Sequence, residues 1–162
     1  MMMTLRKASA EDLDAIAAVE AVCFPEAEAA SRESLEKRLS VYPEHFWLLE
    51  EDGKLISFVN GMVTNLPDLT DEMYENAAMH DESGDWQMIF GVDTIPSHRK
   101  MGCAGKVLRA VIEETRQAGR KGLVLTCKER LVPFYAGFGF VDEGVSASEH
   151  GGVIWHQMRL RF

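Results

Sequence analysis

Small and basic residues stand together in one stretch of the chain, His98–Lys106, which reads HRKMGCAGK. Gly102 and Gly105 let the backbone approach a ligand closely because they carry no Cβ. A helical pattern follows at once, and the first N–H groups of a helix lack internal partners and carry the positive end of its dipole. Arg99 and Lys100 add positive charge. The stretch therefore predicts an anion site built on backbone N–H groups.

The spacing of these residues excludes two common nucleotide-binding loops. A Walker loop ends in Gly-Lys-Ser/Thr and a Rossmann loop has G-x-G-x-x-G, whereas Arg99–Ala104 reads R-x-x-G-x-A. A pyrophosphate is the natural occupant of such a loop. A tight turn without a ligand is the alternative interpretation of the same residues.

Composition narrows the class of protein. The 162 residues carry 17 Lys and Arg against 26 Asp and Glu, a formal net charge of -9, and 46% are hydrophobic. These values predict a single globular domain spanning residues 1–162. The negative charge disfavours nucleic acid and anionic membrane as partners and favours a cation such as an amine.

Targeting and metal signals are weak in this sequence. No apolar run approaches the roughly 20 residues of a membrane span, and the N-terminus lacks the apolar block of a signal peptide. Cys23, Cys103 and Cys127 are odd in number and lack zinc-ligand spacing. We therefore expect free thiols, a cytoplasmic location and no metal. Cys103 is interpreted as a small packing residue rather than a nucleophile.

Hydrophobic periodicity predicts a mixed α/β fold with the order β-α-α-β-β-β-α-β-α-β. Ser9 with Asp12 predicts one helix start, Ser31 predicts another, and Asp52-Gly53 predicts a hairpin turn. The predicted strands are 4–9, 45–51, 54–64, 85–95, 122–127 and 153–162, and residues 66–84 are expected to form a mobile loop with some helix. The strand-helix-strand unit 86–127 predicts one parallel pair.

The R-x-x-G-x-A loop follows a strand that ends at Pro96 and precedes an amphipathic helix, and this combination resembles the acyl-CoA loop of the GNAT superfamily of N-acetyltransferases. The resemblance covers nearly the whole chain. It implies the GNAT fold, an α/β architecture with a mixed central sheet of about six to seven strands and about four helices. It also implies acetyl-CoA as co-substrate. The residues implied to bind it are Val92, Asp93 and Thr94 along the pantetheine arm, and Arg99, Lys100, Met101, Gly102, Cys103, Ala104 and Gly105 around the pyrophosphate.

A second motif, LVPFYAGFGF at residues 131–140, resembles the GNAT segment that closes over the thioester. It is most similar to that of the arylalkylamine (serotonin) N-acetyltransferase group, as are VCFPEA at 22–27 and the stretch 42–61. This resemblance implies that Tyr135 is the catalytic residue that protonates the departing thiol. In the alternative interpretation the aromatic residues form a core cluster, which we favour for Phe134, Phe138 and Phe140.

The residues of these segments also suit acetyl transfer without reference to the family. Acetyl transfer to an amine needs a neutral nitrogen, a polarised thioester carbonyl and a protonated leaving group. A backbone N–H in Val92–Thr94 could contact the developing oxyanion. An ordinary tyrosine, with a pKa of about 10, suits a thiolate whose basicity is close to that of cysteine at about 8.5. Direct attack in a ternary complex is the simplest route.

The residue that removes the amine's proton is not indicated. Animal arylalkylamine enzymes carry two histidines on the central strand, and alignment back from Arg99 places Met88 and Phe90 there. Neither side chain can take a proton. A water chain remains open, as do five side chains: Glu26, Glu28, His45, His80 and Asp93.

The acceptor side is predicted from CFPEAEAA, a segment that the resemblance places beside the acceptor. Phe24 and Pro25 would form apolar walls, and Glu26 could pair with a cation. The acidic loop at 66–84 is either a lid or a solvated insertion. We expect acetyl transfer to a small aromatic or aliphatic primary amine by a monomer or homodimer. A polyamine, aminoglycoside or protein N-terminus as acceptor, or a CoA-binding regulatory module without turnover, are the alternatives.

Overall fold

A computed structural model describes residues 2–162. The described chain has nine strands: β1 Met3–Lys7, β2 Phe46–Glu51, β3 Lys54–Asn60, β4 Val63–Thr64, β5 Trp86–Ile89, β6 Gly91–Thr94, β7 Gly122–Cys127, β8 Val141–Val145 and β9 His156–Arg161. It has five α-helices: α1 Leu13–Cys23, α2 Arg32–Val41, α3 Asp71–Glu75, α4 Cys103–Gln117 and α5 Val132–Ala136. Within residues 2–162, none of the helices combines the length and the apolarity that crossing a bilayer requires.

The chain divides into two compact units. The first comprises the residues up to Gly61 together with Gly91–Val111, and the second comprises Met62–Phe90 and Ile112–Phe162. The expectation of a single domain stays a prediction.

The first unit is built on an antiparallel sheet of order β1-β2-β3-β6. The β2–β3 hairpin turns at Asp52 and Gly53, whose φ angles of 50° and 84° are the left-handed values that a tight two-residue hairpin turn requires. Helices α1 and α2 bury one face each, with Ile16 on α1 and Leu35 on α2 fully inaccessible to solvent. The predicted hairpin and helix pair are confirmed.

The helix starts follow their capping residues. The N–H of Ser9 donates to the Asp12 carboxylate at 2.8 Å, and a short 3₁₀ turn, Ala10–Asp12, leads into α1. The Ser31 hydroxyl accepts from the N–H of Ser34 at 3.1 Å and starts α2. Both satisfy N–H groups that a helix end would otherwise leave unpaired.

The second unit is built on a mixed sheet of order β4-β5-β7-β9-β8. Strands β5 and β7 are parallel, as the strand-helix-strand pattern predicts, and the other neighbours are antiparallel. Helix α4 lies between β6 and β7 in sequence and ends before Gly119, whose φ of 77° is typical of a residue just past a helix end.

The predicted strand 85–95 is wrong in one respect, because it is two strands separated by Phe90. Strand β5 pairs with β4 and β7, whereas β6 pairs with β3 in the other sheet. A continuous apolar run does not reveal where its pairing partner changes. Strand β8 was also not expected, since most of its residues are exposed and its pairing with β9 shifts register after Asp142.

Residues 66–84 are more ordered than the expected mobile loop. They contain α3 and a 3₁₀ turn, Ala77–Met79. The Asp71 carboxylate accepts from the Ser148 hydroxyl at 2.6 Å and from the N–H of Glu149 at 3.0 Å. Asp68 accepts from Arg159 of β9 at 2.8 Å. These two carboxylates tie the segment to residues near the C-terminus.

Candidate active site

The predicted anion loop lies between a 3₁₀ turn, Pro96–His98, and helix α4. Lys100 and Gly102 have φ angles of 63° and 82°, in the left-handed region, whereas Arg99 is extended. A lysine in this conformation costs roughly 1–2 kcal/mol. Arg99 and Lys100 lie exposed in this turn, which leads the backbone directly into α4.

The start of α4 adds unpaired donors to the loop. The first helical hydrogen bond runs from the N–H of Lys106 to the Gly102 carbonyl at 3.0 Å. The N–H groups of Cys103, Ala104 and Gly105 precede it and have no acceptor within the helix. Cys103 is buried, as expected of a packing residue. The residues present fit a pyrophosphate bound on the backbone.

Side chains on either side of the loop hold it in place. The guanidinium of Arg99 donates through Nε to the Thr94 carbonyl at 3.1 Å. The His98 ring contacts Glu51 Oε1 at 3.2 Å and the Ser97 hydroxyl at 2.8 Å. The loop is thus connected to both β6 and the end of β2.

Strand β6 is the last strand of its sheet, so one of its edges pairs with no strand in the described chain. The N–H of Ile95 donates to Ile56 of β3 at 2.9 Å, and backbone direction alternates along a strand. The backbone groups of Val92 and Thr94 therefore point to the free edge, where an extended pantetheine arm could pair with them. The N–H of Val92 is the candidate oxyanion donor.

The backbone of Asp93 points the other way, toward β3, and its carbonyl accepts from the Ser57 hydroxyl at 2.6 Å. The carbonyl of Thr94 is already shared by Arg99 and by the Cys23 thiol, which donates at 3.3 Å. Of the three strand residues predicted to bind the arm, Asp93 is not placed to do so through its backbone.

Tyr135 lies on α5 in the second unit, where Pro133 occupies the first turn. Its side chain is 7% exposed, and its ring meets Phe134 and Phe140 edge-on at centroid distances of 5.0 Å and 6.1 Å. Phe140 is a core residue as expected, whereas Phe134 is 40% exposed because it lies on the outer face of this short helix. The aromatic packing fixes the orientation of the Tyr135 ring.

The residues predicted for the acceptor side follow α1. Phe24 is half-buried, and Pro25 and Glu26 are exposed. The Pro25 carbonyl accepts from the N–H groups of Glu28 and Ala29 at 2.9 Å, which closes a turn. The turn leaves Pro25 and Glu26 accessible to solvent.

The two candidate histidines serve the fold. Nδ1 of His80 accepts from the N–H of Val63 at 3.0 Å, so Nε2 carries the proton and faces Glu82 at 3.0 Å. His45 is buried and lies edge-on against Trp47 at 5.7 Å. Met88 is fully buried in the core, and Phe90 packs on Tyr74 at 4.8 Å.

Asp93, the fifth candidate base, is fully buried on β6, which packs against α1. Burial raises the pKa of Asp93 well above its ordinary value, and the neighbouring Glu20 raises it further, whereas Arg38 opposes the shift. Glu20 and Arg38 are themselves buried, and Arg38 donates to Asn60 Oδ1 at 3.0 Å.

Sequence reasoning missed Glu20, Arg38 and Asn60. One signal for Glu20 was present in the sequence, because it continues the spacing of the apolar residues Leu13 and Ile16 along α1. A charged residue on the buried face of a helix needs a partner.

A model of the acetyltransferase (GNAT) family matches residues 13–140. This is most of the chain, so the protein belongs to the GNAT family of acetyltransferases. As a member, it is an acetyl-CoA-dependent N-acetyltransferase.

Solved structures share the fold at low sequence identity. The loading GNATL domain of CurA from Lyngbya majuscula is similar with a TM-score of 0.86 and 17% identity, over 99% of this chain and 98% of that one. The GNAT-like decarboxylase GphF in complex with isobutyryl-CoA gives 0.85 and 21%, over 98% of each chain. The PaiA N-acetyltransferase from Thermoplasma acidophilum in complex with coenzyme A gives 0.73 and 16%, over 100% of each.

No curated protein sequence matches the chain significantly. The comparisons therefore support the superfamily, and they do not support a particular resemblance to the arylalkylamine group.

Proposed function

We propose that the enzyme transfers the acetyl group of acetyl-CoA to a small primary amine, aromatic or aliphatic, by direct attack in a ternary complex. The observation that carries the donor half is the left-handed turn at Lys100–Gly102, which opens α4 and leaves the first N–H groups of that helix available to a pyrophosphate. The acceptor half rests on the net charge of -9, which attracts a cation.

In this proposal the predicted residues divide the work of binding and catalysis. Residues 99–105 bind the pyrophosphate, and Val92 and Thr94 align the arm along β6. The N–H of Val92 stabilises the oxyanion that forms when the amine nitrogen attacks the carbonyl. As the carbon–sulfur bond breaks, the Tyr135 hydroxyl gives its proton to the sulfur. Phe24, Pro25 and Glu26 contact the acceptor.

The decisive experiment measures thiol release from acetyl-CoA with phenethylamine, tryptamine and spermidine as acceptors, alongside calorimetric CoA binding. We expect turnover with at least one amine. In Tyr135→Phe, kcat should fall roughly 100-fold, the lower range for losing a general acid, with CoA binding unchanged. Phe134→Leu is the matched control, because it alters the neighbouring ring without touching a hydroxyl. CoA binding without turnover on any amine would reject the function and favour a regulatory module.

The loop can be tested with a pair of matched glycines. Gly102 and Gly53 both have positive φ, 82° and 84°, and a Cβ on either would meet no atom within 4 Å. An alanine at either position costs about 1 kcal/mol of backbone strain. Only Gly102→Ala should raise the KM for acetyl-CoA, by about tenfold if roughly 1.4 kcal/mol of binding is lost. Equal effects from both variants would argue against an anion loop.

A second candidate function is decarboxylation of an acyl-CoA that carries a free carboxylate. It is favoured by the high structural similarity to a GNAT-like decarboxylase, with a TM-score of 0.85, and by Met88 and Phe90, which supply no base for an amine. Loss of carbon dioxide needs no amine deprotonation. Formation of acetyl-CoA from malonyl-CoA, followed by mass spectrometry, would support this candidate if every amine remains unacetylated.

A further inference from the structure

Three polar side chains of the first unit lie within 4 Å of the position that a Cβ on residue 91 would take. A Cβ built on Gly91 would lie 3.0 Å from Asp93 Oδ1, 3.5 Å from Asn60 Nδ2 and 3.9 Å from Glu20 Oε1. We call this space, lined by Glu20, Asn60 and Asp93, the Gly91 cradle. Any side chain at position 91 would fill it.

Asp93 is the unusual member of the cradle. It is 0% exposed, and within the described chain neither of its carboxyl oxygens receives a hydrogen bond from an N–H or O–H donor. Buried carboxyl groups normally have such donors. Because Oδ1 borders the cradle, a proton or a donor placed over Gly91 could reach it.

The groups that face Asp93 come from three elements. Helix α1 contributes Glu20 and Cys23, α2 contributes Arg38, and β3 contributes Asn60. Glu20 accepts a hydrogen bond from the N–H of Ala30 at 2.9 Å. Arg38 directs a donor to Asn60 rather than to Asp93.

These neighbours make Asp93 a stronger base than an ordinary aspartate. Burial and the charge of Glu20 raise the pKa of Asp93, with Arg38 the opposing influence. Burial also raises the pKa of the Cys23 thiol, which therefore stays neutral and cannot compete for the proton. General-base catalysis is most effective when the pKa of the base is near the working pH.

We propose that Asp93, supported by Glu20, accepts the proton of the amine acceptor, and that the Gly91 cradle is where the proton enters. The proposal rests on the proposed acetyl transfer. In the step, an N–H bond of the ammonium breaks and an O–H bond forms on Asp93. The electron pair stays on nitrogen, which then attacks the thioester, and the proton returns from Asp93 to solvent after product leaves.

The test compares two nucleophiles across a range of pH. Phenethylamine is protonated at neutral pH and needs a base, whereas hydroxylamine is already largely neutral. Asp93→Asn should lower kcat/KM for phenethylamine, or for the best amine of the panel, by about 100-fold at pH 7. Its rate with hydroxylamine should fall less than about threefold, because no general base is required.

Two further variants test the Glu20–Asp93 pair and the Gly91 cradle. Glu20→Gln should move the acidic limb of the pH–rate profile to lower pH, because losing that negative charge lowers the pKa of Asp93. Gly91→Ala should slow the amine reaction while CoA binding is unchanged. Asp14→Asn, on the same helix with 85% of its side chain exposed, is the control and should match the wild type.

The possible outcomes distinguish a failure of the role of Asp93 from a failure of the proposed acetyl transfer. Equal losses on both nucleophiles in Asp93→Asn, or an unchanged acidic limb, would overturn the role of Asp93 while leaving acetyl transfer intact. If the wild-type enzyme acetylates no amine, the proposed function fails and this role fails with it. Thermal unfolding and CoA binding show whether Asp93→Asn folds. If it does not fold, the shift of the acidic limb of the pH–rate profile in Glu20→Gln tests the role of Asp93 instead.

Discussion

Arg159 and Arg38 are both buried, at 5% and 4% exposed, yet the carboxyl groups beside them behave in opposite ways. Arg159 donates to Glu143 at 3.0 Å and to Asp68 at 2.8 Å. These hydrogen bonds lower the pKa of Glu143. Arg38 lies near Asp93, whose pKa is nevertheless raised.

The difference lies in where the donors point and how much water each carboxyl keeps. Glu143 and Asp68 have side chains 33% and 66% exposed and receive charged hydrogen bonds directly. Asp93 is fully buried, its arginine is used by an amide, and its neighbour is another carboxyl. Proximity to an arginine is therefore not enough to lower the pKa of a buried carboxyl group. The Arg159 cluster holds distant segments of the fold together, whereas the surroundings of Asp93 raise the pKa of its carboxyl group.

Of the variants that test this comparison, Arg38→Met should lower the free energy of unfolding the most. The substitution leaves Asn60 Oδ1 without its donor and the buried Asp93 without the cation that opposes its raised pKa, so the free energy of unfolding should fall by about 3 kcal/mol. Urea denaturation at pH 7 measures it. A loss below about 1 kcal/mol would mean that Arg38 does not support the acidic pair.

Arg159→Met should cost less, about 2 kcal/mol, because water can solvate Glu143 and Asp68 once the arginine is gone. The variant also loses the guanidinium that lies 4.6 Å over the Trp86 ring. Arg161 lies over the same ring at 5.2 Å but is exposed, so Arg161→Met is a control expected to cost roughly 0.5 kcal/mol. Similar losses of stability in both variants would mean that Arg159 stabilises the protein only through its contact with the Trp86 ring.

The most diagnostic effect is the pH dependence of stability, measured as the change per pH unit. The raised pKa of Asp93 contributes stability that is complete below about pH 4 and is lost as pH rises through the folded-state pKa, by up to about 1.4 kcal/mol per pH unit. The advantage of the wild type over Asp93→Asn should therefore shrink from pH 4 to pH 8.

Glu143 should show the reverse sign. Its lowered pKa contributes stability that is present above about pH 4.3 and is lost as the solution becomes more acidic. The deficit of Glu143→Gln should thus disappear on acidification. Urea denaturation at several pH values measures how the stability deficit of each variant, Asp93→Asn and Glu143→Gln, changes with pH. If both deficits change with pH in the same direction, the two clusters do not differ in the way described.

Local sequence signals predicted much of the first unit and the glycine turn that leads into α4. Ser9, Ser31 and Asp52-Gly53 predict their helix starts and turn through hydrogen bonds or backbone angles that neighbouring residues determine. The Arg99–Ala104 spacing predicts the loop for the same reason. These features depend on contacts within a few residues.

The remainder depends on contacts between distant residues. The break at Phe90 arises because β5 and β6 have partners in different sheets, which an apolar run cannot encode. The Gly91 cradle forms because α1 lies over β6 and brings Glu20 to Asp93. Periodicity shows that Glu20 is on the buried face of its helix, but not what lies opposite.

The free edge of β6 has a consequence for the lifetime of the protein in solution. The Thr94 carbonyl accepts from Arg99 and Cys23, but the other edge groups of Val92 and Thr94 pair with no strand in the described chain. Such edge groups are a template on which another chain can add a strand, and they promote aggregation. A cofactor arm that pairs with Val92 and Thr94 would cover this template as well as take part in catalysis. At a concentration 100 times its Kd, the cofactor would also stabilise the native state by about 2.7 kcal/mol. Light scattering during heating should then show that the acetyl-CoA pool protects this enzyme from self-association.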